Sequence, residues 1–289
     1  MPAPVPLPVM AALSPPPATV EPFTPRAVAV KPATPLPKPA PQPAWKRNAV
    51  AVDVPAGAPM IAVVLDDIGV DKRRSARAVA LPGPLTMAYL PYADDLQAQT
   101  AEARRRGHEL LVHMPMQPKG HNSDPGPNVL DMRLGAIEVL SRIEWNLSQF
   151  TGYVGVNNHM GSLFTESEEG MRLVAESLRD RGLLFLDSLT SPRSVGTTMA
   201  DAFAVPNTTR DVFLDNTDTQ AEVEMRLAQT ERVARKVGTA IAIGHPRDAT
   251  IAVLQRWIPR AREQGFALVP LSRVLEVRRQ RTEQQASRP

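Results

Sequence analysis

Between residues 61 and 269 short apolar runs of strand length recur eight times, and most are separated by longer stretches with apolar residues three and four apart. The runs span 61–65 (IAVVL), 85–90 (LTMAYL), 110–113 (LLVH), 153–156 (YVGV), 183–186 (LLFL), 211–214 (DVFL), 239–243 (TAIAI) and 266–269 (FALV). The first has no polar alternation, so it reads as a strand buried on both faces, as in a parallel sheet. Intervening segments such as DDLQAQTAEARRRG and ESEEGMRLVAESLRDRG end in glycine after a basic last turn, a helix-stop signal. Strand and helix in repeated alternation predict an α/β fold, and a closed or nearly closed parallel (β/α) barrel of seven or eight strands is its economical form. An open doubly wound sheet is the competing arrangement, but no glycine-rich dinucleotide or phosphate loop follows the first run.

The ends of the chain have a different character. The first 59 residues hold 17 of the 30 prolines and almost no apolar periodicity, so residues 1–58 are expected to form a disordered arm or tether. The folded domain is expected over 59–278, with 279–289 (RQRTEQQASRP) a polar, disordered tail. A proline-rich arm ahead of a catalytic domain suits a cell-envelope or periplasmic protein spaced from a membrane, with any tether lying upstream. No uninterrupted apolar stretch approaches transmembrane length, and the first residues lack the pattern of a signal peptide. A net charge of +3, with basic residues spread along helical segments, gives no reason to expect nucleic acid as a partner. Cysteine is absent, so any metal must be held by His, Asp or Glu.

The strand ends carry the chemistry. Asp66 and Asp67, His113, Asn158 and His159, Asp187, Asp215 and His245 all fall where a run stops. In a parallel barrel those ends share one face, so residues distant in sequence converge on one pocket. Adjacent carboxylates at the end of a buried strand repel each other and lose hydration, which calls for a counter-cation or a shared proton; the structural alternative is a helix cap beside a solvated aspartate. Two histidines and a carboxylate with an open position form a catalytic arrangement for Zn²⁺, which makes coordinated water acidic enough to attack a carbonyl at neutral pH. The second aspartate is then free to act as base, with a histidine across the pocket as acid. Iron or manganese tolerates the same ligands. His108 precedes its strand, at the end of the barrel where stability roles are expected, and His121 reads as a solvated loop residue. Tyr89, Tyr92 and Phe164 are the aromatic candidates for the pocket side; with only 4% aromatic residues a long aromatic-lined groove is not expected.

With these residues in view, the segment from about 58 to 278 resembles the divergent polysaccharide deacetylases, a branch of the NodB-like carbohydrate esterase superfamily. The resemblance rests on VVLDDIG, LPGPLTMAYLPYA, GHELLVHMPMQP, GYVGVNNHMGSLFT, LLFLDSLTS and IAIGHP, in that order. It implies a distorted barrel of parallel strands, a divalent metal usually taken as zinc, and removal of acetyl groups from N-acetylated sugars. It further implies Asp66 as base, Asp67 and His113 as metal ligands and His245 as general acid. One departure stands out: the superfamily places a second histidine four residues after the first, whereas this chain has Gln117. His159 is the candidate to complete the ligand set, with Asn158 and Asp187 as groups orienting ligands or substrate. Gln117 keeps open a non-catalytic envelope carbohydrate-binding protein without a working metal, and the same rim would serve another metal-assisted hydrolase on this barrel.

Overall fold

A computed structural model of the chain describes residues 42–120 and 123–287; the reading of residues 1–41 and of His121 falls outside them. The sheet strands are β1 (Met60–Ile68), β2 (Thr86–Tyr89), β3 (Glu109–Met116), β4 (Gly155–Met160), β5 (Leu184–Asp187), β6 (Asn207–Thr209), β7 (Val212–Phe213), β8 (Thr239–Gly244) and β9 (Ala267–Leu268). All their pairings are parallel, in the order β6-β5-β4-β3-β2-β1-β8-β7, with β9 beside the start of β1. The fold is the parallel (β/α) barrel, and its closure is made by the chain itself. The edge strands β6 and β7 are consecutive and joined only by Arg210 and Asp211. Arg210 N–H donates to Asp187 O of β5 (3.2 Å), and Asp211 N–H donates to Ile241 O of β8 (2.9 Å). The seam is therefore a two-residue link between opposite edges of a curled sheet, which distorts the barrel there. The sequence showed a single run at 211–214; β6 went unseen because Asn207-Thr208-Thr209 has no apolar member.

Strand periodicity sorts the core into two faces. Ala62, Val64, Ala88, Leu111, Leu184, Leu186, Ile241 and Ile243 fill the interior. Their neighbours Ile61, Val63, Leu65, Met87, Leu110 and Val112 pack outward against the helices. At Gly155 a Cβ would stand 2.2 Å from Leu184 O, so the close approach of β4 to β5 depends on glycine there. The crossovers are helices α2 (Lys72–Val79), α3 (Leu96–Arg105), α4 (Ala136–Ser148), α5 (Glu168–Arg181), α6 (Gly196–Ala202), α7 (Gln220–Val237) and α8 (Asp248–Glu263). Ser167 caps α5 by accepting from Gly170 N–H, and Thr219 caps α7 by accepting from Glu222 N–H, as expected of these residue types at helix starts.

Both expected domain limits change. The folded part begins before residue 59: the short helix α1 (Ala44–Arg47) buries Trp45 at 6% exposure, Trp45 N–H donates to Gly182 O, and Asn48 Nδ2 donates to Tyr153 O (2.7 Å). Val52, Val54 and Ala58 pack on the same interior cluster. The short run AVAVDV at 49–54 is cut off by Pro55 and has no strand partner of its own among the described residues, so only tertiary contact reveals that it packs. At the other end α9 (Leu271–Ala286) continues through most of the expected disordered tail as an exposed helix. Its first turns plug the N-terminal end of the barrel, where Leu271, Val274 and Leu275 are buried and Ser272 N–H donates to the buried Glu109 (3.0 Å). His108 lies at that end too, accepting from Leu85 N–H at Nδ1 (3.2 Å) and donating from Nε2 to Val79 O (2.9 Å). Burial lowers its pKa, as a structural, neutral imidazole requires. The opposite end, at the C-termini of the strands, is left for the site.

Candidate metal centre and active site

Two adjacent residues on a regular strand point to opposite faces. Asp66 follows Ala62 and Val64 in facing the interior, so Asp67 should face the helices. It does not, because the register of β1 against β2 slips between Leu65 and Ile68, and Asp67 takes φ 55°. Such a bulge re-aims a side chain at the cost of a strained left-handed residue. The turn beyond it is held by Gly69 N–H donating to Ser75 Oγ (2.9 Å) and Gln99 Nε2 donating to Gly69 O (3.0 Å). Both carboxylates thereby reach one pocket.

His113 on β3 pairs in register with Asn157 on β4, two residues before the pair Pro115 and His159. Asn157 ties the interior face together. It accepts from His113 Nδ1–H at Oδ1 (2.9 Å) and donates from Nδ2 to Asp66 Oδ1 (2.8 Å) and to Ser188 Oγ (3.2 Å). The first bond commits the His113 proton to Nδ1 and leaves an Nε2 lone pair facing Asp67. Asp67 Oδ1 lies 3.2 Å from His113 Nε2 and 2.9 Å from His159 Nδ1, and the two imidazole nitrogens are 3.1 Å apart. Yet Asp67 Oδ1 is buried without a hydrogen bond of regular geometry. Three lone-pair atoms meeting around an unsatisfied oxygen fit a divalent cation: ligands at zinc–nitrogen and zinc–oxygen bond lengths around a tetrahedral ion stand about 3.3 Å from one another. Asp67, His113 and His159 form a three-residue candidate metal site.

The neighbouring aspartates are pushed in opposite directions. Burial raises the Asp66 pKa, and the opposing charges of His113 and His245 do not cancel it. Burial pushes Asp67 up as well, but the His113 and His159 imidazoles beside it outweigh that and hold Asp67 well below the usual carboxylate range. The environment thus favours the ionised form of one carboxylate and the protonated form of its neighbour.

His245 closes the pocket from β8. Its Nδ1 bonds the fully buried Asp215 Oδ1 (2.9 Å), and its backbone N–H donates to Asp215 Oδ2 (2.7 Å), which also accepts from Thr250 Oγ1 (2.8 Å). Its Nε2 is left towards the pocket, 3.7 Å from Asp67 Oδ2. Burial would lower the His245 pKa, but the Asp215 hydrogen bond and charge, with help from Asp67 and Asp66, raise it.

Not every expected residue comes in. Asn158 and Asp187 sit on the outward parity of their strands. Asn158 accepts from Ser188 N–H (2.9 Å) and donates to Met160 O (2.8 Å), while Asp187 accepts from Leu189 N–H (2.8 Å) and Ser194 Oγ (2.6 Å). Both shape the loop after β5. Gln117 lines a separate depression with Met132, Arg133 and Leu163, and its backbone O accepts from Leu163 and Phe164 N–H (3.1 Å each). Tyr89 and Phe164 are buried core, Tyr89 donating to Gln99 O (3.1 Å). Tyr92 is half-buried, its pKa pushed up to about 12 by burial and the charges of Asp67 and Asp124. Asn157 escaped the sequence reading, although counting back two from His159 along the strand would have placed it inward. Asp215 was visible at a strand end, but its partner was not.

Fold and site together define a parallel-barrel protein with a two-histidine, one-carboxylate centre at the C-terminal strand ends. The sequence profile of the divergent polysaccharide deacetylases matches residues 63–275, and the chain belongs to that family. A Haemophilus influenzae protein described only as uncharacterized is 36% identical over 197 residues, covering 68% of this chain and 69% of that one. YibQ of Escherichia coli K12, also described as uncharacterized, is 32% identical over 209 residues, covering 72% and 65%. The crystal structure of an uncharacterized Agrobacterium tumefaciens C58 protein superposes with a TM-score of 0.75 at 30% identity, over 80% of this chain and 94% of that one. The catalytic domain of a peptidoglycan N-acetylglucosamine deacetylase from Eubacterium rectale shares the fold, with a TM-score of 0.50 at 15% identity over 78% and 94%. The family implies a carbohydrate substrate. No helix among the described residues is long and apolar enough to cross a membrane.

Proposed function

We propose that this protein is a metal-dependent hydrolase that removes N-acetyl groups from an amino-sugar polymer or fragment in the cell envelope. The observation that carries the reading is Asp67 Oδ1, buried without a regular hydrogen bond between His113 Nε2 and His159 Nδ1. Asp67, His113 and His159 would hold the ion, and their N₂O set suits zinc. A divalent cation there supplies Lewis acidity to the amide carbonyl and makes water a nucleophile at neutral pH. Asp66, held by Asn157 and bordering the ligand atoms at 3.7 Å from His113 Nε2, takes the proton of the attacking water. His245 stands on the other side of Asp67 with Nδ1 bonded to Asp215, whose charge favours the imidazolium, and in that form Nε2 carries the proton given to the departing amine. Gln117 lies outside the triad, and His159 standing as a third donor argues against a non-catalytic protein without a metal.

The test is Asp66→Asn, assayed for acetate release from chitooligosaccharides and for metal content. Turnover falls about 10²–10⁴-fold, the usual worth of a general base, with metal retained stoichiometrically. Metal lost with the substitution, or activity retained, would assign the roles wrongly. Chain cleavage without acetate would favour a glycosidase on the same barrel.

A further inference from the structure

The barrel seam places a cation beside the catalytic groups. Arg210 occupies the two-residue link, half-buried, with Nε donating to Ser188 O (2.9 Å) and Nη2 to Leu189 O (3.2 Å). A guanidinium has five N–H donors, so the remainder of the fork is available to a further acceptor. Among the described residues no carboxylate oxygen lies within 4.0 Å of it. The acidic side chain nearest in sequence, Asp211, is engaged by Arg278 Nη2 (2.5 Å) and Ile241 N–H (2.7 Å). Arg226, on the same cleft, is neutralised by Glu222 (2.9 Å). Burial without a counter-ion lowers the Arg210 pKa, while the more distant charges of Asp187, Asp66 and Asp211 offset part of that.

The cleft that Arg210 lines with Phe213, Asn216, Arg226 and Gln229 has a volume of about 480 Å³. It adjoins the catalytic groups at two points. The Phe213 ring meets the His245 ring edge-on at 5.5 Å and lies under the Arg210 guanidinium at 5.2 Å. Ser188, whose carbonyl Arg210 holds, takes a hydrogen bond at Oγ from Asn157, which also donates to Asp66. An aromatic ring, the exposed amide of Asn216 and a guanidinium with no counter-ion among the described residues match a sugar ring bearing an anionic group.

We propose that this cleft is a subsite for an anionic substituent, carboxylate or phosphoryl, on the sugar adjoining the one deacetylated, with Arg210 as the specificity residue. The inference rests on the amino-sugar reading of the site. Titration calorimetry on the zinc-loaded full chain tests it by binding alone. One arm compares a disaccharide of N-acetylglucosamine and N-acetylmuramic acid with chitobiose, and the other compares chitotriose carrying a 6-phosphate on one sugar with unmodified chitotriose. The acidic ligand of at least one arm binds about tenfold to hundredfold tighter, as one charged hydrogen-bonded contact gives, and the arm with the larger ratio identifies the group. Arg210→Gln removes the preference, and Arg210→Lys keeps part of it because the charge remains while the fork is lost. Should Arg210→Gln fail to fold in a thermal melt, the wild-type ratio and its decline with added salt decide. Neutral ligands bound as tightly as acidic ones, or a preference that survives Arg210→Gln, overturns the subsite and leaves the deacetylase reading standing. No binding of any of the four sugars overturns both.

Discussion

Asn157→Ala is a sharp probe of how the site is held, because Asn157 is tied to Asp66, His113 and Ser188 and is fully buried. The substitution leaves His113 Nδ1 and Asp66 Oδ1 each without that partner. Each buried group so exposed costs about 1–3 kcal/mol, and water entering the space left by the amide recovers some of it, so a net loss of about 2–4 kcal/mol is expected. At about 2–4 °C per kcal/mol for a domain of this size, the melting temperature falls by roughly 5–15 °C. The second consequence is specific. With the His113 tautomer no longer imposed, metal affinity drops about 10–100-fold, the usual effect of removing a ligand's hydrogen-bond partner. The third concerns pH. The hydrogen bond from Asn157 favours ionised Asp66 and opposes the upward push of burial, so its loss raises the Asp66 pKa further. Asp66 works deprotonated, and the acid limb of kcat/KM therefore moves to higher pH. Chelator competition and a pH profile of acetate release read the last two effects. A destabilised variant with unchanged metal affinity and an unmoved acid limb would refute the reasoning, since Asn157 would then be only packing.

Asp215→Asn should act on the opposite limb: Asp215 raises the His245 pKa, His245 works protonated, and its loss moves the alkaline limb of the profile to lower pH. An unmoved limb would take His245 out of the acid role. Chelation should lower the melting temperature and Zn²⁺ restore it, by roughly 5–10 °C at a hundredfold excess over the dissociation constant, corresponding to about 2.7 kcal/mol. A melt indifferent to both, with no stoichiometric metal, counts against the triad as a metal site. Trp45→Ala should cost about 3–5 kcal/mol in a denaturant melt. A change below about 0.5 kcal/mol, ordinary for a surface substitution, would mean that the folded domain does not depend on the segment before residue 59.

Much of the site was legible because the chemistry of a parallel sheet is simple at its ends. Apolar runs stopping at Asp66, His113 and His245 could be matched to one rim without knowing strand order, since all C-terminal strand ends of a parallel barrel face one way. The same rim geometry offers His159 in place of a histidine absent at position 117, and the structure brings it to Asp67 and His113. The same reasoning could not tell Asn157 from Asn158, because a one-residue error in register exchanges the two faces of a strand. Nor could it show that Val52 and Val54 are packed, for their burial comes from contacts with distant strands.

Residue type and local period thus pointed to the fold class and the functional end of the barrel, while the choice of donors came from the family resemblance. Three matters waited for tertiary structure: the bulge that turns Asp67 inward beside Asp66, the buried bonds that set the tautomer of His113 and the polarity of His245, and the seam that gives Arg210 no counter-ion among the described residues. Each depends on a neighbour far along the chain. A side chain's direction and its net charge balance belong to the pairings around it, and local sequence carries no record of those pairings.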